Sequence, residues 1–272
     1  MMESTYITNI VVCYANEDEI IEYAKQLAKQ TMAEKIKLIV VVNMEQKGIT
    51  YLKVKLSQIG ITYKIINPQR NLGYLNGLLY GYEQDKLYSK WYILSNTDIE
   101  IPDKNTVEKF LKRKYLNDSG IWVVGPSVFA PKKSSFSNPY MIVRPSKKIY
   151  IIKNSMMNFP YIYNTLFKIK EKLKKITIAT PRQSNYVYAV HGSFMFIRQE
   201  LLNCLVEQGK WELLYDEEQY IAETVLRYGK KIYYDSDIQI NHMEGMSTGK
   251  VNIRTRYSLM RKANKRIIEG YY

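Results

Sequence analysis

Short apolar runs and amphipathic segments alternate through the first 125 residues, and this alternation narrows the choice of fold more than any other feature of the sequence. Residues 6–14 carry an Ile-Val-Val run, and residues 37–43 read KLIVVVN, the β-branched pattern of a strand covered on both faces. Between them, Ile20, Ile21, Ala24, Leu27 and Ala28 recur at helical spacing. A helix over 50–59 stops at Gly60, and 61–66 returns as a strand. The series continues with helix 73–88, strand 91–95, helix 105–114 and strand 121–125. Repeated β-α-β units demand a parallel sheet with right-handed crossovers, so the expected fold is α/β with a Rossmann-like half.

The second half is less regular. Pro126, Pro131, Pro139 and Pro145 among Ser and Asn make 126–155 read as loops. In 158–176, Ile162, Leu166, Ile169, Leu173 and Ile176 recur at 4-3-4-3 spacing among lysines, with Pro160 suited to the first turn: a basic amphipathic helix. Residues 186–198 read as extended, 199–208 and 216–228 as helices, and 231–234 and 238–241 as short strands. The net charge of +14 is concentrated. Residues 119–199 hold 13 Lys or Arg against Glu171 alone, and 245–272 hold seven against Glu269 alone. Such segments attract phosphates, whether of nucleic acid or of anionic lipid. The tail repeats the theme, with Ile253, Tyr257, Met260 and Ile267 on one side of a basic helix. Cys13 and Cys204 form no metal or disulfide framework, which suits a reducing compartment. No run approaches the roughly 18 apolar residues of a membrane span, and no signal peptide is recognised, so a soluble or peripheral protein is expected.

In an open α/β sheet, ligands gather at the carboxyl ends of strands, so the residues just past each strand carry the chemistry. Strand 91–95 runs into Asn96-Thr97-Asp98, where a carboxylate can hold a divalent cation that grips substrate phosphates; a turn before Pro102 explains the same residues without a ligand. Arg70-Asn71-Leu72-Gly73 opens a helix after a strand, which suits close approach to an anion and suits plain helix packing equally. Asp216, Glu217 and Glu218 open another helix, where acids are stabilised by the macrodipole or stand ready as a general base. His191 and His242, the two histidines, both fall at strand ends near glycine.

Taken in order, these signals resemble the family-two inverting glycosyltransferases of the GT-A fold, in particular the rhamnosyltransferase-like bacterial branch, over about residues 6–248. The resemblance implies a GT-A domain: a mostly parallel central sheet flanked by helices, with 1–125 binding nucleotide-sugar, 126–249 binding acceptor and carrying catalysis, and 250–272 as a basic helical tail. It implies Asp98 and His242 as ligands of Mg²⁺ or Mn²⁺, with Asn96 where many members have Asp. Glu218 matches the catalytic base, with Glu217 as the second choice. Asn71, Gly73, Gly192 and Ser193 match segments around the donor, and the strand-end logic adds Tyr14, Asn16, Asn43, Arg70, Asn96 and Thr97. Asn43 departs from the family, which usually has Asp there. The implied activity is metal-dependent transfer of a sugar from a UDP- or dTDP-sugar to a glycan acceptor, the expected class being the lipid-linked acceptors of capsule, O-antigen or cell-wall polysaccharide synthesis. The expected location is cytoplasmic, at the inner face of the plasma membrane, contacted through 158–176 and 250–272; the sequence leaves room for a homo-oligomer. A nucleic-acid-binding protein is the rival from another class, but no zinc pattern, RNP-like strand or helix-turn-helix signal supports it. A sugar-nucleotide pyrophosphorylase would need a Gly-rich loop where Tyr14-Ala-Asn-Glu-Asp stands. A binding-only homologue is the remaining alternative.

Overall fold

The structure is a computed structural model that describes residues 7–85, 89–174, 183–243 and 252–272, with backbone alone from 170 to 174. Gly245, Ser247 and Thr248, which follow His242, and the end of the basic helix past Lys174 lie outside the described residues.

The first half follows the alternation in the sequence: β1 (Ile7–Tyr14), α1 (Glu17–Ala28), β2 (Ile36–Met44), α2 (Ile49–Ile59), β3 (Thr62–Ile66), α3 (Tyr74–Glu83) and β4 (Trp91–Ser95). After a two-residue strand, β5 (Ile99–Glu100), come α4 (Thr106–Leu111), β6 (Ile121–Ala130) and β7 (Ser135–Phe136). Then follow α5 (Lys147–Met156), α6 (Pro160–Lys174), β8 (Asn185–Val187), β9 (Phe194–Arg198), α7 (Gln199–Glu207), α8 (Glu217–Arg227), β10 (Lys231–His242) and α9 (Ile253–Tyr271). They build one sheet in the order β3-β2-β1-β4-β9-β6-β10-β5. β3, β2, β1 and β4 run parallel, as do β6 and β10, while β9 is antiparallel to both of its neighbours.

Side chains on β2 divide the core by period two. Leu38, Val40 and Val42 join α1, α2 and α4 on one face, and Ile39 and Val41 join α3, α7, α8 and α9 on the other. Burying each such side chain contributes about 1.5–3 kcal/mol. On α3, a Cβ at Gly77 would meet Val12 at 2.9 Å and one at Gly81 would meet Val41 at 2.7 Å. These two glycines let the helix lie close on β1 and β2.

Three sequence expectations change. The stretch 126–155 is not all loop: β6 continues through Pro126 to Ala130, and α5 occupies its end. The run Ile149-Tyr150-Ile151-Ile152 carries three β-branched isoleucines with no strong helical preference, yet it is helical because tertiary contacts hold it. Tyr150 is buried, and Lys153 pairs with Asp216 at 3.0 Å. The extended stretch 186–198 is two strands around a turn at His191–Ser193, and the pair at 231–241 is one strand with an irregularity between Asp235 and Gln239. Among the described residues no helix is long and apolar enough to cross a membrane. The tail helix α9 packs Tyr257, Ala263 and Ile267 against the body, so much of its apolar side is covered by the protein itself.

Candidate active site

A cleft of about 320 Å³ opens beyond the carboxyl ends of β1, β2 and β4. Tyr14, Asn16, Asn43, Asn71, Gly73, Asn96, Thr97 and Asp98, all singled out from the sequence, line it. Strained backbone surrounds it. Ala15, Gln69, Tyr215 and Asp216 have positive φ of 56°, 57°, 78° and 55°, and such conformations persist only where the surroundings hold them.

The floor is a small polar network. Asn16 Nδ2 donates to Glu19 Oε2 (3.0 Å) and to Thr97 Oγ1 (2.7 Å), and Thr97 Oγ1 donates to the same Glu19 oxygen (3.0 Å). Beside it, Asn43 Nδ2 donates to the Gly73 carbonyl at 2.7 Å, and Asn71 Oδ1 accepts from Gly73 N at 2.9 Å. Gly73 has φ +81°, and a Cβ there would lie 2.2 Å from the Leu213 carbonyl oxygen. Only glycine fits this turn. The other amide atom of Asn43, Oδ1, is buried without a hydrogen-bond partner and belongs to a residue of the cleft wall.

The short strand β5 explains how Asp98 meets His242. It pairs with the end of β10, His242 opposite Ile99, and Met243 N donates to Asp98 O at 2.9 Å. Asp98 Oδ1 and His242 Nε2 come within 3.2 Å, and Asn96 Nδ2 lies 3.4 Å from the same imidazole nitrogen. Burial works to raise the Asp98 carboxyl, but the hydrogen bond and charge of His242 outweigh it and hold the group below the ordinary aspartate range. Cis ligands on an octahedral cation at 2.0–2.1 Å are about 3 Å apart, so the carboxylate and imidazole have the spacing of a shared ion. The Asn96 amide, turned over, offers an oxygen to the same point. Among the described residues no group of three or more His, Cys, Asp or Glu gathers to hold a metal, so a cation bound here would draw its other ligands from phosphate and water.

The turn His191-Gly192-Ser193 joins this pair to the third group. Asn96 N donates to Ser193 O at 2.8 Å, and Tyr74 Oη donates to Gly192 O at 3.0 Å. The rings of His191 and His242 are 5.5 Å apart, and Gly192 N donates to Glu218 Oε1 at 3.1 Å. Ser193 N donates to His191 Nδ1 at 3.2 Å. Burial, then the neighbouring His242 and Lys133, push the His191 imidazole down to about 3, so it stays neutral. Burial raises the Glu218 carboxyl above the usual glutamate range. Glu217 is raised too, by burial and by the adjacent Glu218 charge, and its Oε1 accepts from Tyr215 N at 2.8 Å, which fastens the strained turn before α8.

Six of the residues chosen from the sequence, Arg70, Gly192, Ser193, Glu217, Glu218 and His242, are not among those that line the cleft, and Arg70 is exposed. Several wall residues were missed: Glu19, Tyr74, Leu213, Leu214, and Thr255 and Leu259 of α9. Glu19 sits in the first turn of the helix after β1 and Tyr74 adjoins Gly73, so both were findable; the others reach the cleft only through the tertiary fold.

No protein-family profile matches the sequence, and no curated protein does. Solved structures do match in shape. A mannosyltransferase from Pyrobaculum calidifontis, solved with GDP-Man and Mn²⁺, superposes with a TM-score of 0.58 at 13% identity, covering 92% of this chain and 59% of that one. GalNAc-T7, solved with UDP, GalNAc and Mn²⁺, gives 0.61 at 12%, covering 90% and 45%. S. aureus TarS residues 1–349, solved with UDP-GlcNAc, gives 0.61 at 14%, covering 97% and 66%. The chain thus spans less than two thirds of each. At such identities the likeness is one of fold: the chain has the GT-A architecture, a mostly parallel sheet flanked by helices with a further helix at the C-terminus.

Proposed function

We propose that the protein is an inverting glycosyltransferase that moves a sugar from a nucleoside-diphosphate sugar to a glycan hydroxyl. The observation that carries this reading is the convergence of Asp98, His242 and Glu218 on the His191–Ser193 turn, beside a cleft of nucleotide size at the strand ends. The neighbours of like fold, solved with GDP-Man, UDP and UDP-GlcNAc, agree with it.

In this reading the nucleoside lies along Tyr14, Asn16 and Asn43. The unpartnered Oδ1 of Asn43 accepts from an N–H on the base, a role an amide fills as well as the family's carboxylate does. Asn71 and the Gly73 turn shape the adjoining wall. Asp98 and His242 fit a divalent cation, Mg²⁺ or Mn²⁺, which when bound neutralises charge on the departing diphosphate. Glu218 takes the proton from the acceptor hydroxyl as that oxygen attacks the anomeric carbon, and its raised pKa makes it a stronger base for the task. The Gly192 N–H orients it. Glu217, more deeply buried and bonded to Tyr215 N, holds the turn rather than the substrate. Attack by the acceptor oxygen on the side of the anomeric carbon opposite the departing diphosphate makes transfer a single displacement with inversion. The finer reading is a hexosyltransferase extending a lipid-linked glycan of the cell envelope, such as capsule or cell wall, from the cytoplasmic side.

The test is incubation with UDP-, dTDP- and GDP-sugars and Mn²⁺ or Mg²⁺, reading nucleoside-diphosphate release and donor-induced thermal stabilisation. Absence of both with every donor would remove the reading.

A further inference from the structure

We propose that the α5–α6 hairpin is a docking element for an anionic lipid bilayer. The inference rests on the transferase reading only for its purpose, which is to bring the cleft to a lipid-borne acceptor.

An ordinary surface helix turns its apolar stripe toward the core. Helix α6 does the reverse. Ile162, Leu166 and Ile169, spaced to share one side, are all exposed, Ile162 by 63%. Its packed side instead carries Tyr163, whose ring meets Tyr257 at 5.3 Å, and Asn164, which accepts from Tyr257 Oη at 3.2 Å. Helix α5 adds Ile149 and Ile152, one turn apart and both more than half exposed, and Phe159 at the bend is 63% exposed. Large apolar side chains left exposed on two neighbouring helices and the bend between them mark an interaction site.

The charge around it selects the occupant. Lys147, Lys148 and Lys168 are exposed beside the stripe, and 119–199 carries 13 basic residues against a single acid. Lysines interleaved with an apolar stripe, with Phe and Tyr at its edge, match an anionic headgroup layer above acyl chains. The hairpin is also tied to the cleft. Lys153 of α5 pairs with Asp216 at the start of α8, the helix that bears Glu218, and Asn154 Nδ2 donates to the Arg261 carbonyl of α9 at 2.9 Å. Helix α9 lines the cleft through Thr255 and Leu259. Docking the hairpin would therefore fix how the cleft faces the surface.

The test uses the full chain without donor or acceptor. Co-sedimentation is measured with vesicles of phosphatidylcholine alone and of phosphatidylcholine with phosphatidylglycerol, for the wild type and for Ile149→Ser/Ile162→Ser/Leu166→Ser. All three positions are exposed, so the variant should keep the wild-type melting temperature. The expected result is binding that requires phosphatidylglycerol and falls about tenfold or more in the variant. Undiminished binding by the variant, equal binding to both vesicles or no binding by the wild type overturns the proposal. So does a wild-type dimer in sedimentation velocity that the variant dissolves while vesicles stay unbound, since a second copy then covers the stripe. Vesicle binding needs no catalysis, so failure here leaves sugar transfer to a soluble acceptor untouched, and failure of transfer leaves this measurement valid.

Discussion

Gly192 N donates to Glu218 Oε1 at 3.1 Å, and a Cβ added to Gly192 would stand 2.8 Å from that same oxygen. The backbone thus both orients the carboxylate and leaves it just enough room. Because the clashing atom ends a flexible side chain, Gly192→Ala should fold normally and displace Glu218. Turnover is expected to fall about tenfold or more with donor affinity nearly kept, against at least about 10²-fold for Glu218→Gln. The double variant should lose little beyond Glu218→Gln alone, because both changes act on one group. Additive losses in steady-state kinetics would separate the two residues.

Asn43 stands where the resembled family has Asp, and the structure supplies a reason. Its Nδ2 donates to the Gly73 carbonyl at 2.7 Å, a bond no carboxylate can make. Asn43→Asp would set a buried charge against a carbonyl oxygen. The expected cost is about 1–3 kcal/mol in chemical denaturation, with weaker donor binding. Unchanged stability would show that the turn does not depend on this bond.

Glu217 is held above the usual glutamate range by burial and by Glu218. Its folded state therefore keeps a proton that the unfolded chain releases near pH ~4.3. Between that pH and its raised folded value the unfolded state binds fewer protons, so this group's contribution to stability falls as pH rises. Glu217→Gln removes the penalty. Its melting temperature relative to wild type should climb from pH 5 to pH 9, and a constant difference across that range would contradict the raised value.

Asp98 Oδ1 and His242 Nε2 lie 3.2 Å apart, the spacing of two ligands on one cation. Asp98→Asn and His242→Ala should each lower Mn²⁺ affinity by at least about 10–100-fold, read by calorimetric titration in the presence of the matching nucleoside diphosphate. Binding of the nucleotide without metal should change less. Equal metal affinity in either variant would take that residue out of the set.

Much of the cleft wall was legible because it is local. Tyr14, Asn16, Asn43, Asn96 and Thr97 each end or follow a strand whose apolar period the chain displays, and a parallel sheet sends those ends to one edge. Helix α5 was illegible because its β-branched run has no helical preference of its own, and burial of Tyr150 with the Lys153–Asp216 pair decides its state.

The β-α-β order, the sheet edge formed by the strand ends and the basic character of the second half are all written along the chain, since period and charge are properties of sequence neighbours. The resemblance implied that Asp98 and His242 share a cation, but the pairing of β5 with β10 that brings them together, the reach of the Gly192 turn to Glu218, the place of α9 in the cleft wall and the outward apolar stripe of α6 emerge only in the folded chain. Those are contacts between distant segments, and no local pattern encodes which side of a helix will find a partner.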